Sequence, residues 1–352
     1  MQKEKLIIIG AGLSGLCLAY KLKKAGKEAL ILEARPRVGG RILTQYREGV
    51  APIELGATWL GRKHQSLTAL LEELDLKVFA QELGGKAIYE PISTSPPQLV
   101  QLPPNEEPSF RIAGGSSQLI QALVERLGPE QIVLRQEVKK LISQADKIIV
   151  QTQSHQYEAE RVVSTLPPYL VSQTIETEPA LARSLLDIAG QTHTWMGESI
   201  KVALTFERPF WRSPHLSGTI MSNVGPIPEM YDHADVSDER FALKGFLNGA
   251  YHAASKAERL AVVLKQLSKY YGEEVHNYLQ YEEAVWREEK YTFVPYQSDM
   301  LPHLHNGHEV FRKAYWDGKL YISGSETAAD FPGYMDGAVQ SAEYVWGQIM
   351  KG

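Results

Sequence analysis

The residues with the clearest chemical meaning are three glycines near the start of the 352-residue chain. Gly10, Gly12 and Gly15 form a G-x-G-x-x-G motif, and Glu33 ends the second apolar run after it. Such glycines allow a tight turn, a close approach of the backbone to a pyrophosphate and close packing of a helix on a strand. The acid can accept a hydrogen bond from a ribose hydroxyl. The pattern predicts a dinucleotide site.

The elements around the motif are those that a dinucleotide site needs. Residues 6–9 are a short β-branched run, which predicts a buried parallel strand. A helix follows and ends at Gly26. Its first residues, Leu13 and Ser14, bring free N–H groups and the positive end of the helix dipole to the phosphates. A second apolar strand then ends on Glu33.

The composition is that of a globular enzyme without a nucleic-acid partner. The net charge is −5 and apolar residues make up 43% of the chain, so neither nucleic acid nor an anionic membrane surface is expected. No apolar run is long enough for a membrane anchor. Cys17 is the single cysteine, which excludes an intramolecular disulfide and is compatible with a reducing compartment. We expect a cytoplasmic protein.

A second glycine turn narrows the range of dinucleotide cofactors that the chain could bind. It follows the acid at once and carries three arginines: Glu33-Ala34-Arg35-Pro36-Arg37-Val38-Gly39-Gly40-Arg41. The run resembles the N-terminal signature of the FAD-dependent amine oxidase family, which includes the monoamine oxidases. The resemblance implies that Ala34, Arg35 and Arg41 line the ADP and pyrophosphate of an extended FAD. It also implies that Gly39 and Gly40 let the chain pass close to the flavin.

Two further segments extend the resemblance. Residues 53–61 resemble the stretch that runs along the flavin ring, and residues 132–166 resemble the antiparallel ribbon of such FAD domains. By this resemblance the backbone of Val138 faces the adenine. The residues expected along the ring are Gly56, Ala57, Thr58 and Trp59.

Two polar segments resemble motifs of the family, but each also has a simpler structural explanation. Residues 114–118 resemble the family's glycine pair and helix behind the flavin, but Ser116 or Ser117 could equally be a simple N-cap. Lys201 lies on the opposite face of a predicted strand from its apolar residues. That strand resembles the one whose lysine holds a water against flavin N5, and the alternative is a lysine on the solvent face of a sheet.

The C-terminal third resembles the aromatic part of the monoamine oxidase site. Read without gaps from Trp286, the family's flavinylated cysteine falls on Pro295 and its cage tyrosine on Tyr296. Tyr291 is the alternative cage residue if the register differs. Since no cysteine lies near, a thioether to the flavin cannot form, and FAD should be bound non-covalently.

The last motif, residues 320–338, resembles the family's "AGTE … GYMEGA". The resemblance implies that Glu326 faces the ribityl–pyrophosphate region and that the N–H of Met335 faces the pyrimidine edge of the flavin. Tyr334 would pair with Tyr296 as two aromatic walls before the ring. The other residues expected at the cofactor here are Gly324, Gly333 and Ala338.

The predicted fold class is α/β, an α+β two-domain flavoprotein. A doubly wound FAD domain with a parallel sheet would comprise residues 1–61, 111–168 and 284–352, and a mixed-sheet substrate domain residues 62–110 and 169–283. The helical insertion that roofs the monoamine oxidase cavity is much shorter here. We therefore expect an open cleft whose substrate-selecting residues lie in the interval 62–110.

The activity implied by the resemblance is amine oxidation. Hydride would pass from a neutral amine to FAD N5, and O2 would reoxidise the flavin to give an imine or aldehyde, ammonia and H2O2. One alternative is dehydrogenation of a larger biosynthetic substrate. Another is a flavin-binding protein that needs a partner or carrier protein over the cleft.

Metal chemistry is not expected. The spacing of His303, His305 and His308 suggests a metal site, but neither a cysteine nor a clear carboxylate completes a ligand set. The oligomeric state and the identity of the amine are not indicated by the sequence.

Overall fold

The structure is a computed structural model that describes residues 2–351. The first strands are β1 Gln2–Ile9, β2 Leu30–Leu32, β3 Thr44–Gln45, β4 Ile53–Glu54, β5 Leu60–Gly61, β6 Val78–Ala80, β7 Lys86–Glu90, β8 Gln98–Gln101, β9 Ser109–Ile112, β10 Ile132–Val133, β11 Val138–Ser143 and β12 Ile148–Thr152. The later strands are β13 Gln156–Ser164, β14 Glu176–Glu178, β15 Ile200–Phe206, β16 Ile220–Ser222, β17 Glu229–Asp232, β18 Phe241–Leu247, β19 Gln280–Val285, β20 Ala314–Tyr315 and β21 Leu320–Ile322. The helices are α1 Leu13–Lys24, α2 Gln65–Glu73, α3 Ser117–Leu127, α4 Pro168–Thr174, α5 Arg183–Ala189, α6 Lys256–Tyr271 and α7 Met335–Lys351.

The part of the chain that contains the first glycine turn is built on a nine-stranded sheet. Its parallel centre has the order β10-β2-β1-β13-β21, and β11 and β12 form the predicted antiparallel ribbon on β13. The apolar run in β1 is explained by burial on both faces. Leu6 and Ile8 pack under α1, α3 and α7, whereas Ile7 and Ile9 pack into a second core on the opposite face.

The second large sheet has seven strands in the order β19-β15-β18-β17-β16-β7-β8. It is mixed, because β16 and β7 are parallel and the other neighbours are antiparallel. One face packs against α6, which begins with a capping box of Ser255 and Glu258. The sequence prediction of a parallel-sheet FAD fold combined with a mixed sheet is confirmed.

The strand β15 is covered on both faces. Its residues Ile200, Val202, Leu204 and Phe206 belong to the core under α6. On the opposite face, Ala203 packs against Ile53 and Leu55 of the first segment. The alternation predicted from the sequence therefore directs Lys201 toward the junction between the sheets and not toward solvent.

The C-terminus of α1 is capped as the sequence predicts, whereas the N-terminus of α3 differs from the prediction. Gly26 has a φ of +71°, and its neighbour Lys27 donates its N–H to Leu22 O at 2.9 Å, which closes α1. At α3, Ser116 occupies the N-cap position, but its own side chain makes no capping hydrogen bond, and the Ser117 N–H donates to Thr44 Oγ1 at 2.9 Å. The backbone N–H of Ser116 donates to the Glu54 carboxylate, and the hydroxyl of Ser116 is buried without a partner among residues 2–351.

Across the described residues, no helix is both long and apolar enough to cross a membrane.

Candidate active site

A cavity of about 610 Å³ lies between the two sheets. Most of the residues expected at a cofactor line it: Gly10, Gly12, Leu13, Ser14, Glu33, Ala34, Arg35, Gly39, Gly40, Arg41, Gly56, Ala57, Thr58, Trp59, Val138, Trp286, Gly324, Gly333, Tyr334, Met335 and Ala338. Lys201 lines it as well. Gly15, Glu326 and Tyr296 are not among the lining residues, and each has a different structural place.

The first glycine turn has the backbone shape that the motif predicts. Gly10 has a φ of +105°, which L side chains rarely adopt. A Cβ on Gly15 would lie 2.1 Å from the carbonyl oxygen of Gly10, so Gly15 brings α1 against the turn and not against a ligand. Gly12 forms an isolated bridge with Gly39, and a Cβ on Gly40 would lie 3.2 Å from Gly12 Cα. The two glycine turns are therefore packed on each other.

Glu33 and Arg35 are already held by protein groups. The two carboxylate oxygens of Glu33 accept the N–H groups of Ala11 and Arg35, each at 2.8 Å. The guanidinium of Arg35 donates to Glu289 at 2.8 and 3.0 Å and to Thr292 at 2.8 Å. These contacts orient Glu33 at the cavity wall with acceptor capacity to spare, since each carboxylate oxygen can accept more than one hydrogen bond.

Arg41 and Glu326 form a buried ion pair. The guanidinium donates to both carboxylate oxygens, at 2.8 Å to Oε2, and also to Ser325 Oγ and Trp195 O. Burial acts to raise the pKa of Glu326, but the charge of Arg41 and the hydrogen bonds from Arg41 and Ser325 together hold that pKa below its usual value. Glu326 is fully buried, so it acts on the cavity by orienting Arg41 and by accepting the Trp195 N–H at 3.2 Å.

A strip from Gly56 to Trp59 forms one wall of the cavity. A Cβ on Gly56 would lie 2.2 Å from Arg41 O, so this position admits only glycine without a shift of the backbone. Gly56 O accepts a hydrogen bond from Lys201 Nζ. Trp286 also lines the cavity and donates its indole N–H to Leu55 O, just before the strip, at 2.8 Å.

Lys201 has a second buried lysine beside it that the sequence interpretation missed. Lys244 Nζ donates to Thr58 Oγ1 at 2.6 Å, and Thr58 Oγ1 donates to Gly56 O at 3.1 Å. Lys244 also lies 3.9 Å from the centre of the Trp59 ring. The signal was present in the sequence, since Lys244 interrupts the apolar strand β18 as Lys201 interrupts β15.

Burial weakens the basicity of both lysines. It lowers the pKa of Lys201 to about 8, although Glu54 and Glu229 act in the opposite direction. It lowers the pKa of Lys244 well below its usual value, and the neighbouring Lys201 adds to this effect. Of this pair, Lys201 is therefore the charged lysine near neutral pH, and it lines the cavity, whereas Lys244 does not.

The aromatic walls differ from the predicted pair. Tyr334 lines the cavity, but Tyr296 does not, because Tyr296 O–H accepts the Thr194 N–H at 3.0 Å and its ring packs on Tyr169, His193 and Phe293. The aromatic residue that lines the cavity next to Tyr334 is Trp195, with ring centres 6.1 Å apart.

The alternative cage residue lies elsewhere. Tyr291 lines the cavity beside Glu137 and Arg35, which is the end where the dinucleotide turn lies. His303 stacks on Trp195 with ring centres 3.8 Å apart, and the ring of His305 meets that of His308 edge-on at 5.9 Å. These histidines are thus in ring contacts.

The lining residues fit an extended flavin dinucleotide. Within the part of the chain that the structure describes, no side chain caps the N-terminus of α1, so its N–H groups at the cavity wall are available to a phosphate. The backbone of Gly12 and Gly40 leaves no Cβ in the groove beside them. Farther along, the cavity passes the Gly56 strip and Lys201 and ends among residues of the seven-stranded sheet.

Comparisons with known proteins agree with this geometry. Residues 13–88 and 92–345 match the family described as flavin containing amine oxidoreductase. The chain is 24% identical to a probable flavin-containing monoamine oxidase A of Dictyostelium discoideum, over 96% of this chain and 95% of that protein. It is 23% identical to amine oxidase [flavin-containing] B of Sus scrofa, over 99% of this chain and 86% of that protein.

Solved structures share the same architecture. A triple mutant of putrescine oxidase is 25% identical and matches with a TM-score of 0.86 over 99% of both chains. Cyclohexylamine oxidase from Brevibacterium oxydans is 19% identical, with a TM-score of 0.86 over 99% of both chains, and shares the fold. Because the family match extends from the first helix to the last, the chain belongs to the flavin containing amine oxidoreductases and oxidises an amine by means of a flavin.

Proposed function

We propose that the chain oxidises a small amine in front of a non-covalently held FAD and uses O2 as electron acceptor. Bound in this cavity, FAD would take a hydride from the carbon next to the amine nitrogen and return the electrons to O2, giving an imine and H2O2. The observation that carries the proposal is the buried amine of Lys201, held on Gly56 O in the wall of a cavity that begins at a dinucleotide turn.

The chain's own groups have distinct tasks in this reaction. Trp195 and Tyr334 orient the amine and exclude water from it. Lys201 supplies a positive charge and a proton donor beside the reacting atoms. Because burial and a nearby cation both disfavour a second positive charge, the same site favours an amine substrate in its neutral form, which retains the nitrogen lone pair needed for oxidation.

Non-covalent attachment is supported by the position of the only thiol. Cys17 lies within α1, is fully buried in the core and is not among the cavity-lining residues. Burial raises the pKa of its thiol to about 12, which leaves it unreactive. We also propose the discontinuous FAD domain of residues 1–61, 111–168 and 284–352, with residues 62–110 and 169–283 around the substrate.

The test is the visible spectrum of the purified protein during anaerobic addition of amines. We expect a yellow protein whose flavin band bleaches with at least one amine and returns on admission of O2, with formation of H2O2. Denaturation should release the flavin into the supernatant. A yellow protein that no amine bleaches would contradict the proposed activity, and flavin retained by the denatured chain would contradict non-covalent binding.

A further inference from the structure

Part of the cavity wall comes from the segment between β6 and β7. Gln81 and Leu83 of this segment line the cavity, as do Leu102 and Ser109. The backbone N–H of Gln81 donates to Ser109 O at 2.8 Å, which ties the segment to β9. All of these residues lie in the interval 62–110, where the sequence departs from the monoamine oxidase pattern. The wall therefore contains side chains that the family motifs do not specify.

The side-chain amide of Gln81 is bound at both of its ends. Its Oε1 accepts the indole N–H of Trp59 at 2.9 Å. Its Nε2 donates to Glu82 O and to Asp232 O, each at 2.7 Å. Gln81 is 5% exposed. The orientation of this amide is fixed by its partners, because an indole N–H can only donate and a carbonyl oxygen can only accept.

Asp232 gives the amide a firm anchor. It is the last residue of β17, and its buried carboxylate accepts the indole N–H of Trp211 at 2.7 Å. The guanidinium of Arg212 donates to both carboxylate oxygens, at 2.6 and 3.1 Å. Asp232 Oδ1 also accepts the Ala234 N–H at 2.9 Å. The carbonyl oxygen that receives the Gln81 amide therefore belongs to a residue held by its strand and by its own side chain.

Trp59 is the side chain that Gln81 orients. Its ring meets Tyr231 edge-on at 5.4 Å, lies 6.1 Å from the ring of Phe246 and has Lys244 Nζ 3.9 Å from its centre. The second side-chain torsion of tryptophan has two broad minima, so the hydrogen bond to Gln81 decides which edge of the ring faces the cavity. Because that bond occupies the single polar group of the indole, Trp59 offers a ligand only apolar contact.

We infer that Gln81 is a positioning residue that selects the orientation of Trp59 and thereby sets the affinity of the cavity for the apolar part of the substrate. That the substrate is an amine rests on the proposed function, whereas the orientation of Trp59 does not. Gln81 acts through Trp59 and not as a ligand of the amine, because both N–H bonds of its amide are already used. A ring that contacts the substrate equally before and during the reaction affects KM more than kcat.

The first test is a proton–nitrogen correlation spectrum of the indole N–H groups in the flavin-loaded protein. The chain has six tryptophans, and the Trp59 cross-peak is assigned by its loss in Trp59→Phe. Gln81→Met keeps the length of the side chain but not its amide. In this variant we expect the Trp59 cross-peak to shift upfield and to exchange faster with water than in wild type. Gln98→Met, at an exposed position on β8, is the matched control and should leave the cross-peak in place.

The second test is a double-mutant cycle with n-hexylamine as the probe. Gln81→Met should raise KM about tenfold, the range for loss of a buried hydrogen bond, and change kcat less than about threefold. In the background of Trp59→Phe, which has no indole N–H, the same substitution should raise KM less than about twofold. Equal factors in the two backgrounds would show that Gln81 does not act through Trp59 and would overturn the inference.

The two measurements separate failure of this inference from failure of the proposed function. If no amine is oxidised, the proposed activity fails, but the spectrum still decides whether Gln81 orients Trp59. A Trp59 cross-peak that moves no more in Gln81→Met than the other indole cross-peaks would overturn the inference. Amine oxidation would then stand or fall on its own test.

Discussion

The two ends of the cavity are built from different materials. The nucleotide end consists of backbone: the turn at Gly10, the free N-terminus of α1 and the bridge between Gly12 and Gly39. The substrate end consists of side chains that project from neighbouring strands, with Lys201 and Glu229 as its charged residues. A site built from backbone depends on close approach of the ligand to the main chain, so it tolerates no added side-chain atoms. A site built from side chains can be altered to bind another ligand while the fold is kept.

This difference predicts which substitutions affect the cofactor and which affect the substrate. Changes to the packed glycines should release the flavin for every substrate alike. Changes on β15, β17 and β18 should leave the flavin bound and alter rates, pH dependence or the choice of amine.

The largest effect is expected from Gly15→Ala. The added Cβ would lie 2.1 Å from Gly10 O, so α1 must move away from the phosphate turn, at a cost of about 3 kcal/mol for such overpacking. We expect flavin affinity to fall about a hundredfold, measured by titration of the flavin-free protein with FAD. Gly61→Ala is the control, because its Cβ meets nothing within 4 Å. Equal affinity of the two variants would contradict a backbone-built nucleotide end.

Lys201→Met should keep the flavin but slow reoxidation of the reduced protein by O2 about thirtyfold, a loss of ~2 kcal/mol for a charged donor. The pKa of Lys201 is lowered to about 8, so the cation is present below that pH and is lost above it. The wild-type rate should therefore fall as pH rises through about 8. A stopped-flow pH profile of both proteins tests this. The role of Lys201 would be wrong if the variant kept the wild-type rate and the same midpoint.

Tyr334→Ala should lower kcat/KM for amines about tenfold, because an aromatic wall of the cavity is removed. Tyr334→Phe keeps the ring and should change kcat/KM less than twofold, about the effect of one exposed hydroxyl.

Tyr296→Phe tests the pairing predicted from the sequence. We expect a change in stability and little change in kcat/KM, since Tyr296 lies outside the cavity. A tenfold loss of kcat/KM in Tyr296→Phe would restore the predicted pair.

The smallest effect is expected from Lys244→Met. Lys244 touches Thr58 and Trp59 but not the cavity, so the chemical step should persist. Burial lowers the pKa of Lys244 well below its usual value, so Lys244 carries no charge that acts on Lys201 near neutral pH. The midpoint of the reoxidation pH profile should therefore stay within about half a unit of the wild-type midpoint. A clear upward shift would show that Lys244 is charged beside Lys201.

The nucleotide end was predictable because its requirements are local. A tight turn and a helix start fix the residue types within a few positions, and Gly10, Gly12 and Gly15 are read directly from the chain. Lys201 was singled out by the resemblance of its strand to the family, and Lys244 interrupts the apolar strand β18 in the same way. The family resemblance added the Gly56 strip and the last helix.

The substrate end was harder to predict because its composition depends on strand pairing. Glu229 reaches the cavity only because β17 pairs with β18 in one register, and a shift by one residue would turn it to the other face. Part of the expected interval does contribute, through Gln81, Leu83, Leu102 and Ser109. Tyr296 was misplaced because its loop packs the ring on His193 and Tyr169, contacts that no local pattern specifies.

The strand register also makes the enzyme open to redesign. Glu229 and Met221 face each other across two strands that contribute nothing to the nucleotide turn, and both point into the cavity. A library confined to these two positions would explore new amine preferences while leaving cofactor retention untouched. Variants could then be selected for a new substrate while they keep the bound cofactor.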